Sequence, residues 1–320
     1  MDNGEFRFDP LTRRWVNIVA HRQGRPNLDN GGCPFCVGGI EAPEPYEVSH
    51  FTNRWSSFSP GDAVAFTNVE PENPRDATSV VATGAAEVIL YSPDHAASLA
   101  TLSHAQVRLV VDLWAERTAA LLRRPEIEYV LVFENRGAEV GATVDHPHGQ
   151  IYGFPFMPPE PAREATINLA HGCASCAELA LESEGERLVH SSDSWLGYLP
   201  FASAYPYGVR LTSARHVGRL VDLDDVERDG LATALIDLLS RYDNLWTDSP
   251  LASARFPYLM WIHQASKSDT GEQHLHIHLA PPHRSPGIPR YVASGELGSG
   301  TFSNPVAPER AAADLRAAES

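Results

Sequence analysis

The chain has 320 residues, 43% of them hydrophobic and 21% charged, so it can bury a sizeable core and its length allows about two domains or one domain built from two halves. A formal charge of −16 argues against a surface that gathers phosphates non-specifically, which excludes nucleic acid as a first expectation. No run approaches the roughly 18 apolar residues of a membrane span, and Met1-Asp2-Asn3-Gly4-Glu5 lacks the basic and apolar regions of a signal peptide, so a cytoplasmic chain with no membrane partner is expected.

In chain order, the first marked feature is Cys33-x-x-Cys36. A strand over 88–91 leads through Ser92-Pro93-Asp94-His95 into an amphipathic helix, capped by Ser103, striped by Val107, Val110, Val111, Trp114 and Leu121, and stopped by Pro125. Strands over 127–134 and 146–152 follow. A second pair, Cys173-x-x-Cys176, precedes a strand over 209–212 and a helix capped by Asp222 or Asp224, with Leu231, Leu235, Leu238, Leu239 and Tyr242 as its apolar stripe. Strands over 257–264 and 274–279 come next. The Ala-rich segment 308–320 reads as a short terminal helix that is free to fray.

These features repeat. Phe133-Glu134-Asn135 falls on Trp261-Ile262-His263, and His146-Pro147-His148-Gly149-Gln150 on His274-Leu275-His276-Ile277-His278, both at an offset of 128. Ser92 to His95 falls on Ser213 to His216 at 121, and the cysteine pairs on each other at 140. Offsets that change while order is kept indicate two copies of one unit with different loops. Strand runs beside one long helix per half predict an α+β fold with an antiparallel sheet, residues 1–165 forming one half and 166–320 the other. The halves either share one sheet or pack face to face.

Strand alternation puts His146, His148 and Gln150 on one face, and likewise His274, His276 and His278. Three imidazoles on one face are costly to bury without a metal, a substrate or mutual hydrogen bonds. Two Cys-x-x-Cys pairs beside 14 histidines in a reducing compartment favour metal over disulfides. By the repeat, Cys173, Cys176, His216 and His274 form a Cys₂His₂ set matching Cys33, Cys36, His95 and His146.

The run Phe133-Glu134-Asn135-Arg136-Gly137-x-x-x-Gly141-x-x-x-x-His146-Pro147-His148-x-Gln150 resembles the active-site signature of the galactose-1-phosphate uridylyltransferase family, of the histidine-triad superfamily. Asp9-Pro10-Leu11-Thr12, Trp15, His21-Arg22-x-x-Arg25-Pro26, Cys33-x-x-Cys36, Ser92-Pro93-Asp94-His95, Pro159-Glu160 and His276-Ile277-His278 extend the resemblance along the chain. It implies a duplicated histidine-triad fold and a ping-pong transfer of UMP from UDP-glucose to a hexose 1-phosphate through a covalent histidine. It makes His148 the nucleophile and gives Gln150 the phosphoryl oxygens. A histidine suits this role, since imidazole attacks phosphorus when neutral and leaves when protonated. Arg22 and Arg25 are implied to counter phosphate charge; Asn53, Asn135, Gly141 and Thr143 to contact the nucleotide; Arg290 and Glu296 to meet the sugar. It further implies a structural zinc on Cys33, Cys36, His95 and His146, a second zinc or iron on Glu160, His263, His276 and His278, and a homodimer.

Departures leave the substrate open. Gly295 and Phe302 stand where well-known members carry hexose-binding side chains, and Arg54 replaces an aspartate near the nucleoside. An ADP- or GDP-sugar, or phosphorolysis of a nucleoside diphosphate sugar or dinucleoside polyphosphate, is the enzymatic rival. A nucleotide-sugar-binding protein without turnover is the other. It should lack the nucleophile or the arginines, and both are present.

Overall fold

A computed structural model describes residues 4–24, 32–59, 78–251 and 255–319. In chain order the elements are β1 (Glu5–Asp9), β2 (Arg14–Ile18), β3 (Ser49–Thr52), β4 (Ser79–Val81), β5 (Ala85–Leu90), α1 (His104–Leu122), β6 (Tyr129–Arg136) and β7 (His148–Phe154). Then follow α2 (Pro159–His171), α3 (Ala174–Glu182), β8 (Leu188–Ser191), β9 (Trp195–Tyr198), β10 (Val209–Ser213) and α4 (Asp225–Asn244). The chain closes with β11 (Tyr258–His263), β12 (His276–Ala280), β13 (His283–Ser285), β14 (Ile288–Pro289), α5 (Ser294–Ser299) and α6 (Pro308–Ala317).

Of the two arrangements the sequence left open, the halves share one sheet. Its nine strands run β3-β5-β7-β6-β11-β12-β10-β9-β8, every neighbouring pair antiparallel. The order reads outward from β6–β11 as two copies of one four-stranded unit, with β8 added at one edge. At the junction Phe133 lies directly opposite Trp261, its partner in the 128-residue repeat, so a local two-fold passes through that pair. A three-stranded sheet, β2-β1-β4, and the β13–β14 hairpin are separate.

One core serves both halves. Val107, Val110, Val111 and Trp114 of α1 and Leu231, Leu235, Leu238 and Leu239 of α4 belong to a single buried cluster with Ile89, Val132, Ile151, Leu211, Ile262 and Ile277 of the sheet. Each such side chain contributes about 1.5–3 kcal/mol of burial, so the two helices bind the sheet across the two-fold. Ser103 caps α1, its Oγ accepting from the Gln106 N–H at 3.2 Å. Asp224, not Asp222, caps α4. The helix α1 ends at Leu122 with Arg123 as its cap, short of Pro125, and the residue directly before a proline is disfavoured in helical geometry.

The strand starts differ from expectation in a way that matters. β7 and β12 begin at His148 and His276, so His146 and His274 belong to the preceding turns and leave the stripe. The terminal segment is docked, not frayed: Ala311, Ala312 and Leu315 of α6 are buried, and Asp314 accepts from the Tyr207 hydroxyl at 3.2 Å. Helices α2 and α3 were not anticipated, and α2 runs across the expected division at 165/166. Among the described residues, no helix is long and apolar enough to cross a membrane.

Candidate active site and metal centres

His148 opens β7 at the end of the strand, beside a cleft of about 420 Å³ whose walls include His95, Glu134, Asn135, Arg136 and Arg255. Its Nδ1 lies 2.8 Å from the carbonyl oxygen of His146. A carbonyl only accepts, so Nδ1 carries the proton and the lone pair of the neutral ring is on Nε2. The Phe35 ring packs edge-on against the imidazole at 5.0 Å and limits its rotation. Gly149 follows because a Cβ there would fall 2.1 Å from the Tyr91 hydroxyl oxygen, while the Tyr91 N–H donates to Pro147 O at 3.2 Å. Tyr91 thus grips the His-Pro-His-Gly turn from beneath.

Two residues on, Gln150 Oε1 accepts from Asn53 Nδ2 at 3.3 Å, which leaves the Gln150 amide nitrogen as a donor. Asn53 is itself held by the Trp55 N–H at 2.9 Å. Arg22 Nη1 donates to Ser57 Oγ at 2.5 Å, and Ser57 Oγ lies 3.3 Å from the hydroxyl of Tyr152 on β7, the strand that His148 opens, so Arg22 is tied to the site and is not a loose surface cation. Arg25 lies outside the described residues. Asn135 lines the cleft, with Nδ2 3.5 Å from Val140 O. Gly141 ends the turn Ala138–Val140 at φ 83°, a left-handed conformation that favours glycine, and Thr143 is half-buried between it and His146.

Behind His148, Cys33, Cys36, His95 and His146 converge, their donor atoms all within 4.8 Å of one another. Cys36 Sγ lies 3.6 Å from Nδ1 of both His95 and His146. Sulfur and nitrogen held tetrahedrally on zinc are about 3.6 Å apart, so the set fits that ion. The other nitrogen of His146, buried at 1% exposure, meets Ser92 O at 2.8 Å and Tyr46 Oη at 2.9 Å. Both ring nitrogens are therefore assigned, and burial depresses the His146 pKa and keeps the ring neutral.

The second half repeats this geometry with different neighbours. His274 Nδ1 lies 3.4 Å from both Cys173 Sγ and Cys176 Sγ, and its Nε2 meets Ser213 O at 2.8 Å. His276 Nδ1 donates to His274 O at 2.8 Å, as His148 does to His146. Its Nε2, however, faces a carboxylate 3.7 Å away. That carboxylate is Glu164, which corrects the expected ligand Glu160: Glu164, His263, His276 and His278 form the cluster. Glu160 sits one helical turn earlier, solvent-facing and paired with Arg163 at 3.4 Å. Glu164 contacts His263 Nδ1 at 3.0 Å, and hydrogen bonds from His263 and His276 outweigh burial to hold its pKa well below the ordinary carboxylate range. His278 is stacked on Trp261 at 4.8 Å, and its buried Nε2 has no hydrogen-bond partner among the described residues. An orphaned imidazole nitrogen beside two more imidazoles and a carboxylate fits a divalent ion.

Arg290 and Glu296 are absent from the lining of the His148 cleft. They pair with each other, Glu296 also accepting from the N–H groups of Ala293 (2.8 Å) and Ser303 (2.7 Å), and the Arg290 guanidinium lies over Tyr205 and Phe302. Arg54 bridges to Glu41 at 3.0 Å.

A family model for the N-terminal domain of galactose-1-phosphate uridyl transferase matches residues 32–158, and the C-terminal domain model matches 170–319. The chain belongs to the galactose-1-phosphate uridylyltransferase family. It is 35% identical to the Thermotoga maritima galactose-1-phosphate uridylyltransferase, over 98% of each protein, and 34% identical to that of Streptomyces lividans, over 98% of this chain and 86% of the relative. A solved uridylyltransferase structure matches with a TM-score of 0.84 at 30% identity, covering 98% of each chain.

Within this family frame, sequence reasoning missed Glu164, Tyr46, Phe35 and Ser57. Only Glu164 left a signal. Pro159 at the first helical position fixes the start of α2, which makes Glu160 and Glu164 an i, i+4 pair one turn apart. The other three are fixed by long-range contacts that no local pattern encodes.

Proposed function

We propose that this chain is a nucleotidyltransferase that moves UMP from UDP-glucose to galactose 1-phosphate. His148 Nε2 attacks the α-phosphorus, the bond to the bridging oxygen breaks, and glucose 1-phosphate leaves with that oxygen. A phosphate oxygen of galactose 1-phosphate then attacks the same phosphorus, the P–N bond breaks and UDP-galactose departs. The observation that carries this reading is the 2.8 Å contact from His148 Nδ1 to His146 O, which sets the tautomer that in-line attack by Nε2 needs. The Gln150 amide, oriented by Asn53, donates to the phosphoryl oxygens without offering water a general base. Arg22 and Arg25 offset phosphate charge, and Asn135, Gly141 and Thr143 shape the nucleotide side.

Zinc on Cys33, Cys36, His95 and His146 is structural: four protein ligands close its shell, and its work is to hold the His146 carbonyl. A second ion, zinc or iron, belongs to Glu164, His263, His276 and His278. The enzyme acts as a cytoplasmic homodimer, and the pair Arg290–Glu296 serves the sugar of the partner's site. This is supported by its absence from the cleft of its own chain and by the exposed Tyr291, Leu297 and Phe302 around it.

The test is intact mass after incubation with UDP-glucose and no acceptor. One added UMP, removed by galactose 1-phosphate and absent in His148→Ala, is expected. Addition of AMP from ADP-glucose in its place would keep the covalent mechanism and overturn the substrate. Release of free UDP with inorganic phosphate as acceptor would make the chain a phosphorylase. No adduct from any donor would leave a binding protein.

A further inference from the structure

Cys173, Cys176, His216 and His274 are not used by the transfer reaction, nor are they the ligands the family resemblance implies. Their donor atoms nevertheless all lie within 4.8 Å of one another. Cys176 Sγ is 3.3 Å from His216 Nδ1 and 3.4 Å from His274 Nδ1, close to the spacing of about 3.6 Å expected around tetrahedral zinc. The scaffold around them is built. Cys173 caps α3, its sulfur accepting from the Cys176 N–H at 3.3 Å, and Asn168 Oδ1 holds the next N–H, that of Ala174, at 3.0 Å. His274, 3% exposed, has its second nitrogen on Ser213 O. Two thiols and two imidazoles pointed at one another with both nitrogens of the buried ring committed are poorly satisfied by weak S–H hydrogen bonds alone.

One further contact gives the cluster a role. The carbonyl of His274 accepts from His276 Nδ1 at 2.8 Å, and His276 belongs to the cluster of Glu164, His263 and His278. We propose that Cys173, Cys176, His216 and His274 bind a zinc ion of their own, and that this ion, by fixing His274, aims His276 Nε2 at the neighbouring centre. Zinc binding releases the two thiol protons and leaves the thiolates as ligands. The second half then holds two ions joined through one backbone carbonyl, where the first half has one ion joined to the nucleophile.

The experiment uses the full chain stripped of metal and titrated with cobalt(II). Thiolate-to-cobalt charge-transfer absorption should rise to two equivalents per chain, one from each Cys₂His₂ set, and a rise that stops at one overturns the site. Cys176→Ser should halve that absorption and weaken the sulfur-free centre of Glu164 by about 10- to 100-fold, read as zinc retained against a graded chelator. Glu164→Gln should remove the sulfur-free ion alone and leave both thiolate signals. If Cys176→Ser keeps unchanged affinity at the Glu164 centre, the coupling is overturned; His216→Ala, which changes an exposed ligand, gives the same reading should Cys176→Ser fail to fold. None of these readouts depends on the uridylyl adduct, so this inference and the proposed reaction fail separately.

Discussion

His148 and His276 are the same residue of one repeat, each with Nδ1 held 2.8 Å from the carbonyl of a histidine two positions earlier. They differ in their surroundings. His148 borders an open cleft beside an amide, Gln150, whereas His276 meets the Glu164 carboxylate from α2, with His263 and His278 packed around it at 5.3 and 4.8 Å. The tautomer is a property of the shared turn, and the neighbours set what each ring is suited to: a carboxylate and two imidazoles suit a metal ligand, an open cleft and an amide suit a nucleophile. Breaking this contrast gives the largest expected effect. His148→Ala should lower kcat/KM by about 10⁴-fold or more and abolish the UMP adduct. His276→Ala should keep the adduct and lose metal; loss of the adduct in both variants would show that the halves do not divide the work this way.

The two halves share a device in which a histidine of a Cys₂His₂ cluster lends its carbonyl to the histidine two positions on. Cys36→Ser tests it in the first half. Removing one thiolate leaves Cys33, His95 and His146 with an incomplete shell, so the zinc content should fall and stability should drop by about 3 kcal/mol or more, read by chelator-dependent thermal melting. Unchanged metal content and melting temperature would remove zinc from the account of how His148 is presented.

At position 134 the halves differ in polarity. Glu134 is buried where the repeat places Ile262, and it lies among Tyr258, whose hydroxyl donates to it at 3.0 Å, Tyr91 and Arg136. Burial, only partly offset by Arg136 and the two tyrosines, raises its pKa to about 7. The folded state then holds a proton at Glu134 that the unfolded chain, with its ordinary carboxylate pKa, has lost. Stability therefore falls as pH rises from about 4.5 through about 7. Glu134→Gln should remove up to about 3 kcal/mol of that decline, measured as unfolding free energy at pH 5 and pH 8. Equal slopes in the two proteins would mean that Glu134 is ionised in the fold.

Much of this was legible because repeats and helix periods are local. The 128-residue offset matched two strands to each other, which the structure sets side by side at the two-fold, and both long helices carried their stripes and caps in the sequence. What escaped was set by contacts far apart in the chain. The Pro159 helix start is the one local sign that separates Glu164 from Glu160, and α2 itself buries only Pro161 and Asn168, too narrow a stripe to announce a helix. The histidine stripe was read one residue pair too early because His146 and His274 carry strand-like spacing while their rings belong to turns facing cysteines 110 and about 100 positions away.

The smallest contrast lies at the helix starts. In α4 the Asp224 side chain accepts from the Glu227 N–H at 2.8 Å and Glu227 returns a bond to the Asp224 N–H at 2.9 Å, a reciprocal pair that satisfies two of the orphan donors of the first turn. Arg215 holds the same Glu227 at 2.6 Å and fixes it in place. In α1 Ser103 accepts one bond, at 3.2 Å, and no acidic residue occupies the first turn to favour the helix dipole. Asp224→Ala should therefore cost about 1–2 kcal/mol and Ser103→Ala about 0.5–1 kcal/mol, compared by denaturant midpoints at constant m-value. Because both helices pack in one core, each loss should appear in a single unfolding transition. Two separated transitions would mean that the halves unfold independently despite the sheet they share.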